Sequence, residues 1–265
     1  MRILARGLEL AYRGGPTVVV ADRLELPDGE LVSLVGPNGG GKTTLLRSLA
    51  GLLPPRAGTV TIGDRPVYGR RGLSRRDRAR LLSVVLTDSV APAYLRVREL
   101  VAMGRLPYQR LVGRESSDDR RAVDRALAQT GTAHLAGRPA GRLSDGERQR
   151  VMIARALAQE PEMLLLDEPA AHLDPPHQTA LFQLLDTLVR DGIVSTAVIA
   201  THHLHLALHF SPRLVLVAGG SVHPGAAADL LESGALEEAF LRDLPPATAA
   251  ESRLDPRRGW FVPSG

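Results

Sequence analysis

The stretch GPNGGGKTT, Gly36–Thr44, decides the fold class. An apolar run, LVSLV, precedes it, and leucines at helical spacing follow in KTTLLRSLAGLL, so the pattern predicts a strand, a glycine-rich turn and a helix start. In that context, G-x-x-x-x-G-K-[ST] is a phosphate-binding loop, because glycines let backbone N–H groups close around phosphate oxygens and the helix N-terminus adds positive potential. The predicted phosphate-contacting residues are Gly36, Pro37, Asn38, Gly39, Gly40, Gly41, Lys42, Thr43 and Thr44.

Lys42 is the only lysine of the chain, against 32 arginines. We expect its ammonium group to reach the β- and γ-phosphates of a nucleotide and the Thr43 hydroxyl to ligate Mg²⁺. The alternative is a glycine-rich turn that binds nothing. The preceding strand and following helix favour the phosphate loop.

A second chemical motif is MLLLDE, Met163–Glu168. Its four apolar residues predict a buried strand, and its two carboxylates fall at the strand's C-terminal end, where α/β sheets bind ligands. Asp167 is predicted to hold Mg²⁺, through a water molecule, and Glu168 to orient or deprotonate an attacking water. An acidic pair at a strand end also arises by chance, but a phosphate loop elsewhere in the chain favours the catalytic interpretation.

The segment LSDGERQR, Leu143–Arg150, predicts a helix start with a capping box formed by Ser144 and Glu147. A well-capped helix is a complete explanation of this pattern on its own. A helix start with a serine and a glycine, here Ser144 and Gly146, is also suited to bind an anion.

The chain order predicts an α/β fold: a P-loop NTPase core with a mostly parallel sheet, an antiparallel β part near the N-terminus and an inserted helical subdomain at about residues 88–150. A helix is expected near Ser74–Leu81, and a capping box at Ser116 and Asp119 predicts another. The first helix is expected to continue until Pro54 and Pro55 stop it. Residues 226–265 form a C-terminal tail without a clear pattern.

Composition narrows the function. The net charge of +4 is small and the basic residues are scattered, and aromatic residues make up only 3% of the chain, so nucleic acid is not an expected partner. The absence of cysteine excludes disulfides and thiol catalysis and permits a cytosolic location. No apolar run reaches the roughly 18 residues of a membrane-spanning helix, so a membrane role requires partners.

Four histidines, His202, His203, His205 and His209, fall within eight residues, and the last two have the spacing of one helix face. Such spacing also occurs in metal sites. No cysteine or clear carboxylate ligand accompanies them in the sequence, so we do not predict a metal site there.

Taken in order, these motifs resemble the nucleotide-binding subunit of ABC transporters over residues 1–225. GPNGGGKTT resembles the Walker A motif, MLLLDE the Walker B motif with its catalytic glutamate, and LSDGE the signature. AHLD, Ala171–Asp174, is similar to the D-loop, His202 in ATHH to the switch histidine, and Tyr12 to the adenine-stacking residue of the A-loop. A tyrosine at the end of a strand is also often a packing residue.

The resemblance implies a dimer of two copies arranged head to tail, which binds ATP and Mg²⁺ between them. Ser144 and Gly146 of one copy would contact the γ-phosphate bound by the other copy. His202 would hydrogen-bond that phosphate and help to position the attacking water, with Glu168 as the catalytic carboxylate.

Two positions depart from the family pattern. Thr87 stands where the family usually has a glutamine that senses Mg²⁺ and links to the membrane partner, so Thr87 is expected either to meet Mg²⁺ through water or to mark a different coupling. Asp145 and Glu147 stand in the signature where glycine and glutamine are usual. The helix N-terminus compensates part of their charge, so we expect function to be retained.

The segment RVRELVAMGRLPYQ and the helix pattern after it resemble importers of iron–siderophore complexes, haem and cobalamin. That resemblance implies two membrane-spanning permease subunits, a substrate-binding protein, and a peripheral location at the cytoplasmic face of the membrane. An exporter ATPase and a soluble ATPase of DNA repair or translation are the alternatives, although the soluble members generally carry two fused domains or a long coiled insertion.

Overall fold

The structure is a computed structural model and describes residues 2–87, 93–108, 116–242, 252–255 and 259–263. The strands of this described part are β1 (Ile3–Ala11), β2 (Thr17–Leu26), β3 (Leu31–Val35), β4 (Ala57–Ile62), β5 (Arg65–Pro66), β6 (Leu82–Val85), β7 (Met163–Asp167), β8 (Thr196–Ala200), β9 (Arg213–Ala218), β10 (Ser221–Ala226), β11 (Ser252–Asp255) and β12 (Trp260–Pro263). The α-helices are α1 (Lys42–Leu49), α2 (Arg75–Leu81), α3 (Val97–Ala102), α4 (Ser117–Gln129), α5 (Asp145–Leu157), α6 (Pro175–Arg190), α7 (Leu204–Phe210), α8 (Ala227–Glu232) and α9 (Ala235–Leu241).

The chain forms two compact units. The first unit contains residues 1–72 and 198–265, and its strands lie in the order β5-β4-β1-β2-β10-β9-β3. Strand β1 is antiparallel to β2 and to β4, whereas β9 runs parallel to β3. These pairings confirm the predicted antiparallel part near the N-terminus and the parallel character of the strand that leads into the phosphate loop.

The second unit contains residues 73–197. Its strands β6 and β7 are parallel, with Val85 opposite Leu166 at their carboxyl ends. Between β6 and α5, residues 93–108 and 116–144 contain helices and no strand in the part that the structure describes. The insertion boundaries at about residues 88 and 150 remain a prediction, and residues 88–92 and 109–115 of it lie outside the described residues.

A buried ion-pair network holds the helices of the second unit together. Arg105 is 4% exposed and donates to Asp119 Oδ1 at 2.8 Å, to the Ala158 carbonyl at 2.8 Å and to Glu160 Oε2 at 2.7 Å. Asp119 also accepts from the Ser116 backbone N–H, which completes the predicted capping box of α4. Burial alone would raise the pKa of Asp119, but the hydrogen bonds from Arg105 and Ser116 lower it. The network therefore ties the start of α4 to the segment that follows α5.

Two expectations about the chain path are corrected. Helix α1 ends at Leu49, well before Pro54, because the chain turns at Gly51, which has a φ of +74°. Leu52 therefore does not continue the buried face of the helix and is 52% exposed. Residues 226–265, in which the sequence showed no clear pattern, contain two short helices, α8 and α9, and the β11–β12 hairpin in the part that the structure describes. Leu230, Leu236 and Leu254 of these elements are buried in one apolar cluster with residues from the rest of the first unit, and a local pattern does not reveal such contacts.

Candidate functional site

The phosphate loop follows β3, and its glycines are required by close contacts with neighbouring strands. A Cβ atom on Gly36 would lie 2.1 Å from the Val217 carbonyl oxygen, and one on Gly40 would lie 2.8 Å from the same atom. Gly41 has a φ of +102°, and its Cβ would lie 2.2 Å from Val19 Cγ2. Only glycine fits at these positions, so β2 and β9 together fix the path of the loop.

Lys42 opens α1, and its side chain folds back into the loop. Its Nζ donates to the Gly36 carbonyl at 2.9 Å and to the Pro37 carbonyl at 3.0 Å, and the residue is only 6% exposed. Asn38 and Gly39 form the exposed tip of the loop. A buried cation enclosed by a glycine cradle is suited to the phosphates of a nucleotide.

Tyr12 follows β1 in the sequence and is connected to the phosphate loop through its hydroxyl group. The Tyr12 hydroxyl lies 3.2 Å from Thr44 Oγ1, and the residue is 45% exposed. The structure therefore brings together the predicted A-loop tyrosine and the first turn of α1. Stacking on an adenine base remains a prediction.

His202 lies in the first unit, in the connection between β8 and α7. The backbone N–H of the preceding residue, Thr201, donates to the Leu34 carbonyl at 3.0 Å. Leu34 lies on β3, two residues before Gly36. The residue before the exposed His202 is therefore bonded to the strand that leads into the phosphate loop. That connection is consistent with the predicted role of His202 at the γ-phosphate.

The carboxylates of MLLLDE lie at the end of β7 in the second unit. Asp167 is 2% exposed, and Glu168 has a φ of +46°, an uncommon backbone conformation for a residue with a side chain. Thr87 donates from Oγ1 to the Asp167 backbone carbonyl at 2.7 Å. Thr87 and Glu168 line one cavity of about 110 Å³, together with Asp145, Arg148 and His172.

The signature segment begins α5 as predicted. The Ser144 backbone N–H donates to Glu147 Oε2 at 2.8 Å, and the Glu147 N–H donates to Ser144 Oγ at 3.3 Å. The Ser144 backbone N–H and, next, the charge of Arg138 lower the pKa of Glu147. Asp145 forms an ion pair with Arg148, with 3.3 Å between Asp145 Oδ1 and Arg148 Nη1. The negative charges of Asp145 and Glu147, the two departures from the family pattern, are thus compensated by neighbouring groups of the second unit.

The sequence did not predict the contact between the helix that follows the D-loop and the signature. Asp174 N-caps α6 by accepting from the His177 backbone N–H at 3.0 Å, and the His177 ring also hydrogen-bonds the Asp174 carboxylate. The same ring lies over Gly146, where a Cβ atom would be 2.9 Å from His177 Cδ2. The helix start DPPHQ contained a signal for the cap but none for the contact with Gly146.

The predicted site residues therefore fall into two groups. The first unit contains the phosphate loop, Tyr12 and His202, and the second unit contains Thr87, Asp167, Glu168, Ser144 and Gly146. The glycine cradle of the first unit fits the phosphates of ATP, because it leaves backbone space that any side chain would fill. Thr43 of the first unit and Asp167 of the second unit each carry the kind of hard oxygen ligand that Mg²⁺ prefers. Among the described residues, the histidines form no group of three metal-ligating side chains with one another or with a carboxylate.

Comparison with known proteins decides the family. The family described as "ABC transporter" matches residues 21–171, which is more than half of the chain. The chain belongs to the ABC transporter family. This ABC ATPase therefore binds and hydrolyses ATP, as the sequence motifs predicted. No described helix combines the length and the apolar character that a membrane span requires.

Relatives of this ABC ATPase extend along most of its length. It is 38% identical to the iron(3+)-hydroxamate import ATP-binding protein of Bacillus subtilis, over 94% of this chain and 90% of that protein. It is 40% identical to the cobalamin import ATP-binding protein of Halobacterium salinarum, over 91% of this chain and 59% of that protein. A solved ATP-binding cassette of an ABC transporter in its ADP conformation is similar with a TM-score of 0.77 and 23% identity, over 90% of this chain and 98% of that chain, which supports the fold.

Proposed function

We propose that this ABC ATPase powers the import of an iron–siderophore complex through separate membrane-spanning subunits. The similarity to the hydroxamate import protein supports this cargo, because it extends over nearly the whole of both chains. A cobalamin complex is the second candidate, since the similarity to the cobalamin import protein is equally high, although this chain spans only 59% of that relative. An iron-chelate cargo is therefore the first to test.

The site residues have separate proposed roles in hydrolysis. Lys42, buried among the loop carbonyls, holds the β- and γ-phosphates of ATP. Glu168 orients the attacking water and accepts its proton, and His202 hydrogen-bonds the γ-phosphate. Tyr12 stacks on the adenine base.

The proposed metal ligands are Thr43, Asp167 and Thr87. A Mg²⁺ ion held there would neutralise negative charge on the phosphates. Thr43 would ligate it directly, and Asp167 through water. Thr87 donates its hydroxyl proton to the Asp167 backbone carbonyl, which leaves the lone pairs of its oxygen available to the metal, through water. This contact supports Thr87 as the residue that senses Mg²⁺ in place of glutamine.

The functional unit that we propose is a head-to-tail dimer. Ser144 and Gly146 begin α5 at the surface of the second unit, and Ser144 is exposed. In the dimer, they would contact the γ-phosphate bound by the second copy, with the N-terminal end of α5 adding positive potential. The dimer would dock on two permease subunits at the cytoplasmic face of the membrane, and a substrate-binding protein would deliver the cargo to the permease.

The catalytic role of Glu168 is tested by Glu168→Gln. We expect the variant to bind ATP and form a stable dimer while its hydrolysis rate falls about 100-fold or more, because glutamine cannot accept the proton. Light scattering with and without ATP measures the dimer, and phosphate release measures hydrolysis. Glu162→Gln, an exposed carboxylate just before β7, is the matched control. Undiminished hydrolysis by Glu168→Gln would refute the assignment.

The cargo is tested with the full transporter. The chain is co-purified with the permease subunits of its neighbouring genes and reconstituted in vesicles together with the binding protein. We expect ATP-dependent uptake of a ferric hydroxamate and none of cobalamin. The reverse selectivity would favour the second candidate, and co-purification with ribosomes or DNA would contradict a transport role.

A further inference from the structure

The C-terminal hairpin packs on the helix that follows the proposed switch histidine. Its strands β11 and β12 pair from Ser252 opposite Pro263 to Asp255 opposite Trp260, and the Gly259 N–H donates to the Asp255 carbonyl at 2.7 Å. Leu254 is 7% exposed in an apolar cluster that includes Leu204 and Ala207 of α7. The hairpin is thus a docked element of the first unit.

The hairpin contacts α7 at His205. The indole ring of Trp260 stacks on the His205 imidazole with 4.3 Å between ring centroids and 17° between planes. A Cβ atom on Gly259 would lie 2.6 Å from His205 Cα, so only glycine allows this approach. The ring of the next residue, Phe261, packs near the ring of Phe240 on α9, with 5.9 Å between ring centroids.

The stacked pair continues to His202 as a row of rings. The His205 ring lies 6.1 Å from the His203 ring, and the His203 ring lies 4.1 Å from the His202 ring. Burial lowers the pKa of His205, which favours the neutral form of its imidazole. Four rings, those of Trp260, His205, His203 and His202, therefore connect the hairpin to the proposed switch histidine.

We propose that Trp260 and His205 are positioning residues, which hold the imidazole of His202 in its catalytic orientation through this ring row. The inference rests on the proposed role of His202. His202 is exposed and lies in a connection between a strand and a helix, and the His203 ring, with 4.1 Å between ring centroids, is one of the groups that restrict its ring orientation. The His203 ring lies between His202 and His205, and Trp260 covers His205. The C-terminal hairpin thus contributes to hydrolysis without touching ATP.

Steady-state kinetics with the purified full-length chain tests the ring row. Trp260→Ala should lower kcat about tenfold and leave KM for ATP within about twofold, because a displaced catalytic group slows the chemical step while the Lys42 loop still binds ATP. Trp260→Phe retains an aromatic face and should restore kcat to within about twofold. Phe261→Ala, which removes the other hairpin contact and keeps the stack, is the matched control and should retain normal kcat.

The outcomes separate this inference from the proposed function. If His202→Ala abolishes hydrolysis and Trp260→Ala leaves kcat unchanged, the ring row is wrong and the switch histidine stands. If His202→Ala itself leaves kcat unchanged, the proposed role of His202 is wrong, and the positioning role falls with it. Failure of Trp260→Phe to restore kcat would also overturn the inference.

Fluorescence of Trp260, the only tryptophan of the chain, provides a second measurement that does not depend on a variant of the hairpin. ATP added to Glu168→Gln should change the Trp260 emission, because the ring row moves when His202 engages the γ-phosphate. The double variant Glu168→Gln/His202→Ala should lose that change while light scattering shows that it still forms the ATP-dependent dimer. Emission that is insensitive to ATP, or a change that persists without His202, would overturn the inference.

Discussion

At the scale of single residues, backbone geometry decides which side chains the site accepts. Gly36, Gly40 and Gly41 are fixed by contacts with two neighbouring strands, and Lys42 is fixed by two carbonyl oxygens. Arginine serves at the other 32 cationic positions. We expect lysine to be required at this position, because its ammonium group is compact and presents three donors to a narrow cage, whereas a guanidinium group is planar and wider.

We therefore expect Lys42→Arg to lower the rate of ATP hydrolysis by at least about 100-fold, although the charge is unchanged. ATP binding and phosphate release measured on the purified chain provide the test. Arg13→Lys, an exchange at an exposed position near Tyr12, is the matched control and should leave the rate unchanged. Near-normal hydrolysis by Lys42→Arg would contradict the tight cage.

At the same scale, the residue types of the site were predictable and several of their contacts were not. The glycines, Lys42 and Asp167 are set by short motifs with a local physical reason. The positive φ of Glu168 and the hydrogen bond from Thr87 to Asp167 depend on strands that are far apart in sequence. The packing of His177 on Gly146 likewise joins two helix starts that no local pattern connects.

At the scale of elements, local signals were sufficient where the stabilising contact is local. The capping boxes of α4 and α5 form as predicted, since cap and partner are three residues apart. The predicted end of α1 was wrong because the chain turns at Gly51, before the prolines. The C-terminal hairpin was missed because its support comes from α7 and α9.

The buried network around Arg105 predicts a large effect on stability. Arg105→Met leaves the buried carboxylate of Asp119 without its main partner, so we expect the free energy of unfolding to fall by about 3–5 kcal/mol in urea denaturation. Arg98→Met removes the exposed pair with Asp124, at 2.6 Å, and should cost less than about 1 kcal/mol. Equal costs for the two variants would contradict the importance of burial.

The same network gives an expected pH dependence. The pKa of Asp119 is lower in the folded chain than the value near 3.9 of an unfolded one, so the carboxylate stabilises the fold above that value. The stabilisation is lost as the pH falls through the lowered pKa. Arg105→Met should therefore show a weaker loss of stability below about pH 4 than the unchanged chain.

At the scale of the whole molecule, the residues that we propose to act in hydrolysis are divided between two units of one chain. The phosphate loop and His202 belong to one unit, and Glu168 and Ser144 belong to the other. The sequence predicted this division only as an insertion at about residues 88–150, because motif order shows connectivity and not the extent of each core. In the proposed dimer, Ser144 of each copy serves the nucleotide of the other copy.

The head-to-tail arrangement predicts that two inactive variants complement each other. In a Glu168→Gln background, neither Lys42→Arg nor Ser144→Arg should form an ATP-dependent dimer alone, because both sites of each homodimer are damaged. In the mixed dimer, one of the two sites is intact. It combines Lys42 of the Ser144→Arg copy with Ser144 of the Lys42→Arg copy. We therefore expect light scattering to show a dimer only in the mixture, with one bound ATP per dimer. A mixture without a dimer would contradict the shared site.

The enclosed position of Lys42 also determines how this chain reacts with acylating metabolites. The chain carries one side-chain amine, and that amine is 6% exposed and bonded to two carbonyl oxygens. Acetylation and related amine modifications thus have a single side-chain target, located where the modification would abolish the positive charge of the phosphate loop. Guanidinium groups elsewhere are poor acyl acceptors at neutral pH, so the arginine-rich surface keeps its charge under conditions that would neutralise a lysine-rich one.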